Sequence, residues 1–152
     1  MDDKDRQIIA ALQRDGRLTI QDLAEEVNLS PSPCLRRVRL LEEAGVITRY
    51  TAIVNEEAYG LPITALVRIR LEQHTEAVVK GFEREVGVID EIMDCYVMTG
   101  DADYLLRVLV SSLADYERFV RTKLHKIKGI AGIETSFAYG VIKRSTVFPK
   151  VG

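Results

Sequence analysis

From Ile63 onward the spacing of the apolar residues changes in a set order, and that order limits the available folds more than any other feature of the chain. Ala65, Val67, Ile69 and Leu71 recur at a period of two across residues 63–72. This reads as a half-buried strand with Arg68 and Arg70 on its other face. His74-Thr75 then opens a helix with the stripe Val78, Val79, Phe82 and Val86, and Gly87 closes it. Residues 88–98 and 104–110 are two more strands. The loop Thr99-Gly100-Asp101-Ala102-Asp103 between them is too short for a crossover, so these strands run antiparallel. Ser111 or Ser112 caps a second helix with Leu113, Tyr116, Val120 and Leu124 as its stripe. A last strand covers 133–144, with Ile133, Thr135, Phe137, Tyr139 and Val141 on one face. Strand-helix-strand-strand-helix-strand is the split βαβ topology, a ferredoxin-like α+β sandwich of four antiparallel strands with both helices on one side. Its strands are rich in Leu, Val, Met, Phe and Tyr, so apolar residues on the uncovered face predict a two-fold homodimer.

The first third of the chain has a different periodicity. Ile8, Ile9 and Leu12 share one face of a helix over 5–14, and Asp15-Gly16 ends it, with Gly16 as a left-handed cap. Thr19 and Asp22 have capping-box spacing for a short second helix buried through Ile20, Leu23, Ala24 and Val27. Ser30 reads as the N-cap of a third helix, with Pro31 at its first position and Pro33 still within the first turn. That helix ends at Gly45. Two helices joined by a tight turn and braced by a first helix make a helix-turn-helix, winged-helix-like unit. Val46–Val54 is β-branched and aromatic and reads as a strand leaving it. The expected division is 1–50 for the helix-turn-helix, 51–61 for a β-strand hinge and 62–152 for the ferredoxin-like domain.

On the third helix Leu35, Val38 and Leu41 fall together, flanked by Cys34 and Glu42. Ser32, Pro33, Arg36 and Leu40 then face outward, with Arg37 and Arg39 on the shoulders. Small residues at a helix tip with guanidinium groups behind them suit the major groove, where Arg forks bond guanine edges or phosphates. On an isolated helix the same arginines would read as a solvated face; their place in a helix-turn-helix favours DNA. Charge counts agree only locally. The chain carries 21 Lys+Arg against 23 Asp+Glu, for a net −2. Residues 1–29 carry −3, residues 30–50 carry +2 and the rest −1, so the one positive window lies on the presented helix.

Other classes are disfavoured. At 152 residues a chain buries roughly 70% of its unfolded surface without staples. Cys34 and Cys95 are too few for a disulfide framework and lack metal-ligand spacing, which fits a reducing cytoplasm. The acidic opening Met1-Asp2-Asp3-Lys4-Asp5 lacks a signal-type apolar region, and no apolar run is long enough to span a membrane. His74 and His125 have no Cys, Ser or carboxylate at motif spacing, and no glycine-rich phosphate loop is present, so no catalytic residue, metal or cofactor is assigned. The segment Thr99–Tyr104 differs from its surroundings. Its turn exposes backbone N–H groups that can hold a carboxylate, and Asp101 or Asp103 could hold an ammonium, the two ends of an amino acid. An ordinary Gly-Asp hairpin turn is the other reading.

Three stretches together resemble the Lrp/AsnC (leucine-responsive, feast/famine) family of prokaryotic transcription factors. They are Leu29-Ser30-Pro31-Ser32-Pro33-Cys34-Leu35-Arg36-Arg37-Val38, Leu41-Glu42-Glu43-Ala44-Gly45-Val46-Ile47 and Thr99-Gly100-Asp101-Ala102-Asp103-Tyr104-Leu105-Leu106. The Ser-Pro-Ser-Pro-Cys start is nearest the leucine-responsive branch; Leu40 departs from it, where a basic residue is common. The resemblance implies a regulator that binds double-stranded DNA at a palindromic operator, dimerises, assembles further to octamers and works in the cytoplasm at the nucleoid. It implies a DNA surface of Ser30, Ser32, Pro33, Arg36, Arg37, Arg39 and Arg49. It also implies a small amino-acid effector held between dimers by Val97, Thr99, Gly100, Asp101, Asp103 and Tyr104 with Ser136, Phe137 and Ala138. Two alternatives remain: a haem-precursor decarboxylase of similar fold, which uses histidines in the ligand cleft, and a protein-interaction module without DNA.

Overall fold

In the computed structural model, which describes residues 1–151, the chain folds as two units. One holds Met1–Ile53 together with the stretch from Ile142 onward, the other Val54–Val141.

The first unit is built on α1 (Asp3–Arg14), α2 (Ile20–Glu26) and α3 (Pro31–Glu43). Asp2 and Asp5 form a full capping box at the start of α1, a signal that the sequence reading passed over. The end of α1 corrects another expectation. Asp15 turns extended, its carboxylate takes the Arg17 N–H at 2.9 Å, and Gly16 is not left-handed. Between α2 and α3 the left-handed residue is Asn28, with φ 55°, a conformation that Asn tolerates because its short polar side chain adds little crowding. Ile8 and Ala11 of α1, Leu23 and Ala24 of α2, Val27, and Cys34, Val38 and Leu41 of α3 close one small core. Cys34 is fully buried, whereas Leu35 is half-buried, so the α3 stripe is rotated slightly from the expected one. Gly45, at φ 68°, ends the turn after α3 as anticipated.

Residues 46–54 form no strand. After a bend at Val46 and Ile47 the backbone is irregular, with Ile53 and Val54 exposed, because a β-branched segment needs a neighbouring strand and none among the described residues pairs with it. A one-turn helix α4 (Glu56–Tyr59), capped by Asn55, fills the rest of the expected β-hinge. Thr146 Oγ1 donates to the Gln13 carbonyl at 3.1 Å and the Phe148 N–H to Gln13 Oε1 at 3.1 Å, so the stretch after Val141 packs with α1 in the first unit. Gly152 lies outside the described residues.

The second unit contains β1 (Ile63–Leu71), α5 (Glu76–Val86), β2 (Ile92–Val97), β3 (Tyr104–Val110), α6 (Leu113–Thr122), a 3-10 turn at Leu124–Lys126 and β4 (Ile130–Phe137). The sheet order is β2-β3-β1-β4 with every pair antiparallel, which is the expected split βαβ arrangement. Thr75 and Ser112 cap the two helices through N–H groups three residues on. One core gathers Ala65, Val67, Ile69 and Leu71 with Leu106, Val108, Phe82, Val86, Tyr116 and Phe119. The opposite sheet face is more charged than anticipated. Most of the apolar strand positions face the core, which leaves Arg68, Arg70, Arg107 and Glu134 among Leu66, Tyr96 and Leu105. Arg107 pairs with Asp94 at 2.5 Å and with Glu56 at 3.2 Å.

Candidate DNA interface and effector site

The α3 surface follows from how its first turn is built. Ser30 is the N-cap in extended conformation, yet its hydroxyl makes no capping bond. Pro31 and Pro33 lack N–H groups, so fewer donors need satisfying there, and the Ser30 hydroxyl is left for another partner. Ser32, Pro33, Arg36, Arg39 and Leu40 are all exposed. Arg36, Arg39 and Arg49 make no ion pair among the described residues. Arg37 behaves differently: its Nη1 donates to Asp2 Oδ2 at 2.8 Å and to Asp5 Oδ1 at 2.7 Å. The Asp5 N–H and the Arg37 guanidinium hold the Asp2 carboxyl below its usual range. Arg37 therefore ties α3 to the start of α1. Its acid partners lie more than thirty positions away, so no local pattern could reveal them. Cys34 is buried, and burial pushes its thiol pKa up, which keeps it unreactive.

In the second unit, the turn between β2 and β3 hangs from Asp103. The Asp103 N–H donates to the Ile69 carbonyl at 2.8 Å, and Asp103 Oδ2 accepts the Leu71 N–H at 2.7 Å. His74 Nε2 meets Oδ1 at 2.7 Å, and the Met98 N–H closes the turn on the Asp103 carbonyl at 2.9 Å. The Leu71 N–H first, and then His74, lower the Asp103 pKa. Both carboxylate oxygens are committed, so Asp103 positions the turn. Gly100 sits at φ 102°, which a side chain would resist, and Thr99, Gly100 and Asp101 stand exposed at the tip. Asp101 makes no hydrogen bond or ion pair among the described residues.

Tyr104 lies beneath the turn. It is 4% exposed, stacks on Phe82 with ring centroids 4.5 Å apart, and donates to Glu83 Oε1 at 2.9 Å. Burial, and then Glu83, push its pKa up to about 12. Phe137 packs edge-on against Tyr116 at 5.0 Å, and Val97 is exposed. Ser136 pairs with Leu66 and the Ala138 N–H with the Thr64 carbonyl, whereas the turn bonds to Ile69 and Leu71. Three residues of strand separate Leu66 from Ile69, or roughly 10 Å. Ser136, Phe137 and Ala138 thus line a different stretch of β1 from the turn. No carboxylate stands at motif spacing from His74 in the sequence, and the structure supplies Asp103 because the end of β1 lies beside the turn. Among the described residues no group of His, Cys, Asp and Glu could hold a metal, and no helix is long and apolar enough to cross a membrane.

A helix-turn-helix unit followed by a split βαβ unit is the architecture of DNA-binding regulators that carry their own sensor. Comparison with known proteins gives the family. Residues 64–148 match the Lrp/AsnC ligand-binding domain and residues 1–48 a winged helix-turn-helix DNA-binding domain. The chain is 44% identical over 138 residues to the Bkd operon transcriptional regulator of Pseudomonas aeruginosa, covering 91% of this chain and 90% of that one. It is 34% identical to the leucine-responsive regulatory protein of Haemophilus influenzae, covering 95% and 87%. A transcriptional regulator of Neisseria meningitidis, solved as an L-Met complex, superposes with TM-score 0.93 at 34% identity, covering 98% and 96%. An AsnC-family regulator of Agrobacterium tumefaciens gives TM-score 0.93 at 39% identity, covering 98% and 97%. The chain belongs to the Lrp/AsnC family, whose members are transcriptional regulators and not enzymes.

Proposed function

We propose that paired subunits read a palindromic DNA operator with the exposed face of α3, and that an amino acid bound at the Thr99–Asp103 turn changes operator affinity or assembly. The observation that carries the DNA reading is the division of labour on α3: Arg37 is held by two carboxylates, while Arg36 and Arg39 face solvent unpaired. Arg36 serves for a base or phosphate contact, Ser30, Ser32 and Pro33 for entry into the groove, and Arg39 and Arg49 for phosphates. So few free cations on one subunit bind DNA weakly, and two helices on one operator supply the affinity.

The family and the L-Met complex of the Neisseria meningitidis regulator support an amino acid as effector. Ser136, Phe137 and Ala138 join the turn only if a second copy supplies one of the two segments, in keeping with an effector held between subunits. Exposed Ile53, Val54, Tyr139 and Ile142 are apolar surface that further copies would cover. A homodimer assembling toward an octamer, in the cytoplasm at the nucleoid, completes the proposal. The test is a gel shift on an operator selected from random DNA, with Arg36→Ala and Arg39→Ala together. Lost binding supports α3 as the reading helix, and unchanged affinity refutes it. A slope of log K against log salt near zero would favour the protein-interaction alternative.

A further inference from the structure

The chain passes between its two units twice, at Ile53–Val54 and again at Val141–Ile142, so the residues after β4 end in the first unit. Residues 138–151 run without helix or strand, and Tyr139 and Ile142 are fully exposed. Farther on, the tail is seated on Gln13 of α1: the Thr146 hydroxyl donates to its backbone carbonyl and the Phe148 N–H to its side-chain Oε1, each at 3.1 Å. Val147 is half-buried there, but Phe148 is 75% exposed and Val151 67%. A cavity of about 420 Å³ stays open between Arg6, Ile9 and Ala10 of α1 and the tail residues Phe148–Val151. A segment held by polar bonds, with so little buried apolar surface, leaves its seat at small cost. It therefore has two states, seated and released.

Gln13 lies in the last turn of α1, a rigid rod of about 18 Å. The other end of that rod is gripped by its neighbours. Arg37 of α3 donates to Asp2 and Asp5, and Lys4 Nζ donates at 2.6 Å to the carbonyl of Val27, where α2 ends. The last strand of the sensor unit thus leads through the tail to one end of α1, and the other end of α1 holds α3. We propose that residues 142–151 are a strap that carries the state of the sensor unit to the reading helix. Seated, the tail fixes α1 and, through Asp2, Asp5 and Arg37, the setting of α3; released, it frees them. Coupling between two sites needs an element with two arrangements that both sites bias, and the tail supplies it. This assignment rests on the reading that an amino acid changes operator binding.

Fluorescence anisotropy of labelled operator DNA tests it, with full-length protein titrated in the absence and presence of each of the twenty amino acids; calorimetry reports the affinity for the effective one. Two full-length variants act on the strap and spare α3 and the β2–β3 turn. Gln13→Ala combined with Thr146→Val removes the Oε1 acceptor and the hydroxyl donor, and so unseats the tail. A short Gly-Ser insertion between Lys143 and Arg144 leaves the seat intact and slackens the connection at little entropic cost. In the wild type the effective amino acid should change operator affinity by about fivefold or more, and in both variants the change should shrink below about twofold. Affinity for the amino acid itself should stay near the wild-type value. A response of wild-type size in either variant overturns the strap and leaves the sensor standing. Loss of amino-acid binding also overturns it, because the tail would then belong to the sensor site. Loss of operator binding with and without the amino acid does the same, by making the tail part of the DNA-binding fold. If none of the twenty changes operator binding by the wild type, the response reading falls, and the strap with it.

Discussion

Neighbouring arginines on α3 differ in their partners, Arg37 being held by Asp2 and Asp5 and Arg36 by no ion pair among the described residues, and single substitutions should separate their roles. Arg36→Ala is expected to cost about 1–3 kcal/mol of operator affinity if its fork meets a base edge, with an unchanged melting temperature. Arg37→Ala should behave in the opposite way. Removing the guanidinium leaves Asp2 and Asp5 facing each other near the start of α1, so thermal denaturation should show a less stable first unit. A gel shift at a temperature where that variant stays folded should show smaller loss than Arg36→Ala; a larger loss would return Arg37 to the DNA surface. Histidine 74 illustrates the same point: its role depends on a partner far along the chain. The helix start at Thr75 was readable from the residues, but its contact with Asp103 depends on how β1 and β3 align.

At the level of elements, α1, α2, α3 and the strand-helix order of the second unit were legible, because each has its own periodicity and cap. Residues 46–54 were misread for a physical reason: β-branched composition reports a preference for pairing, and no strand among the described residues lies beside this segment to pair with it. The anchoring of the β2–β3 turn depends on long-range hydrogen bonds from Ile69 and Leu71, which spacing cannot show. That anchoring makes the turn sensitive to acid. The pKa of Asp103 in the fold lies below its ordinary 3.8, so its contribution is complete above about pH 4 and is lost as pH falls through the lowered value. The protection factor of the Leu71 amide, its exchange rate relative to an unfolded chain at the same pH, should be high at neutral pH and fall in acid before the sheet unfolds. Asp103→Asn should remove that pH dependence. Beneath the turn, Phe82→Ala deletes a fully buried ring stacked on Tyr104 and should cost about 3–5 kcal/mol of stability by chemical denaturation.

At the scale of the whole molecule, a net charge of −2 is compatible with DNA binding because residues 30–50, which include α3, carry a local net charge of +2. A dimer presenting Arg39 and Arg49 twice, with or without Arg36 at phosphates, makes four to six such contacts. The slope of log K against log salt should then be roughly −4 to −5. The acidic remainder of the chain opposes attachment to DNA away from the operator. Effector and operator must influence each other reciprocally, by about 1–3 kcal/mol if the coupling is typical. Sedimentation velocity of labelled operator DNA with the full-length protein, with and without each amino acid, reports both affinity and assembly. At least one of the twenty should shift the bound fraction or the size of the complex. Identical sedimentation profiles with all twenty would contradict an amino-acid-responsive regulator.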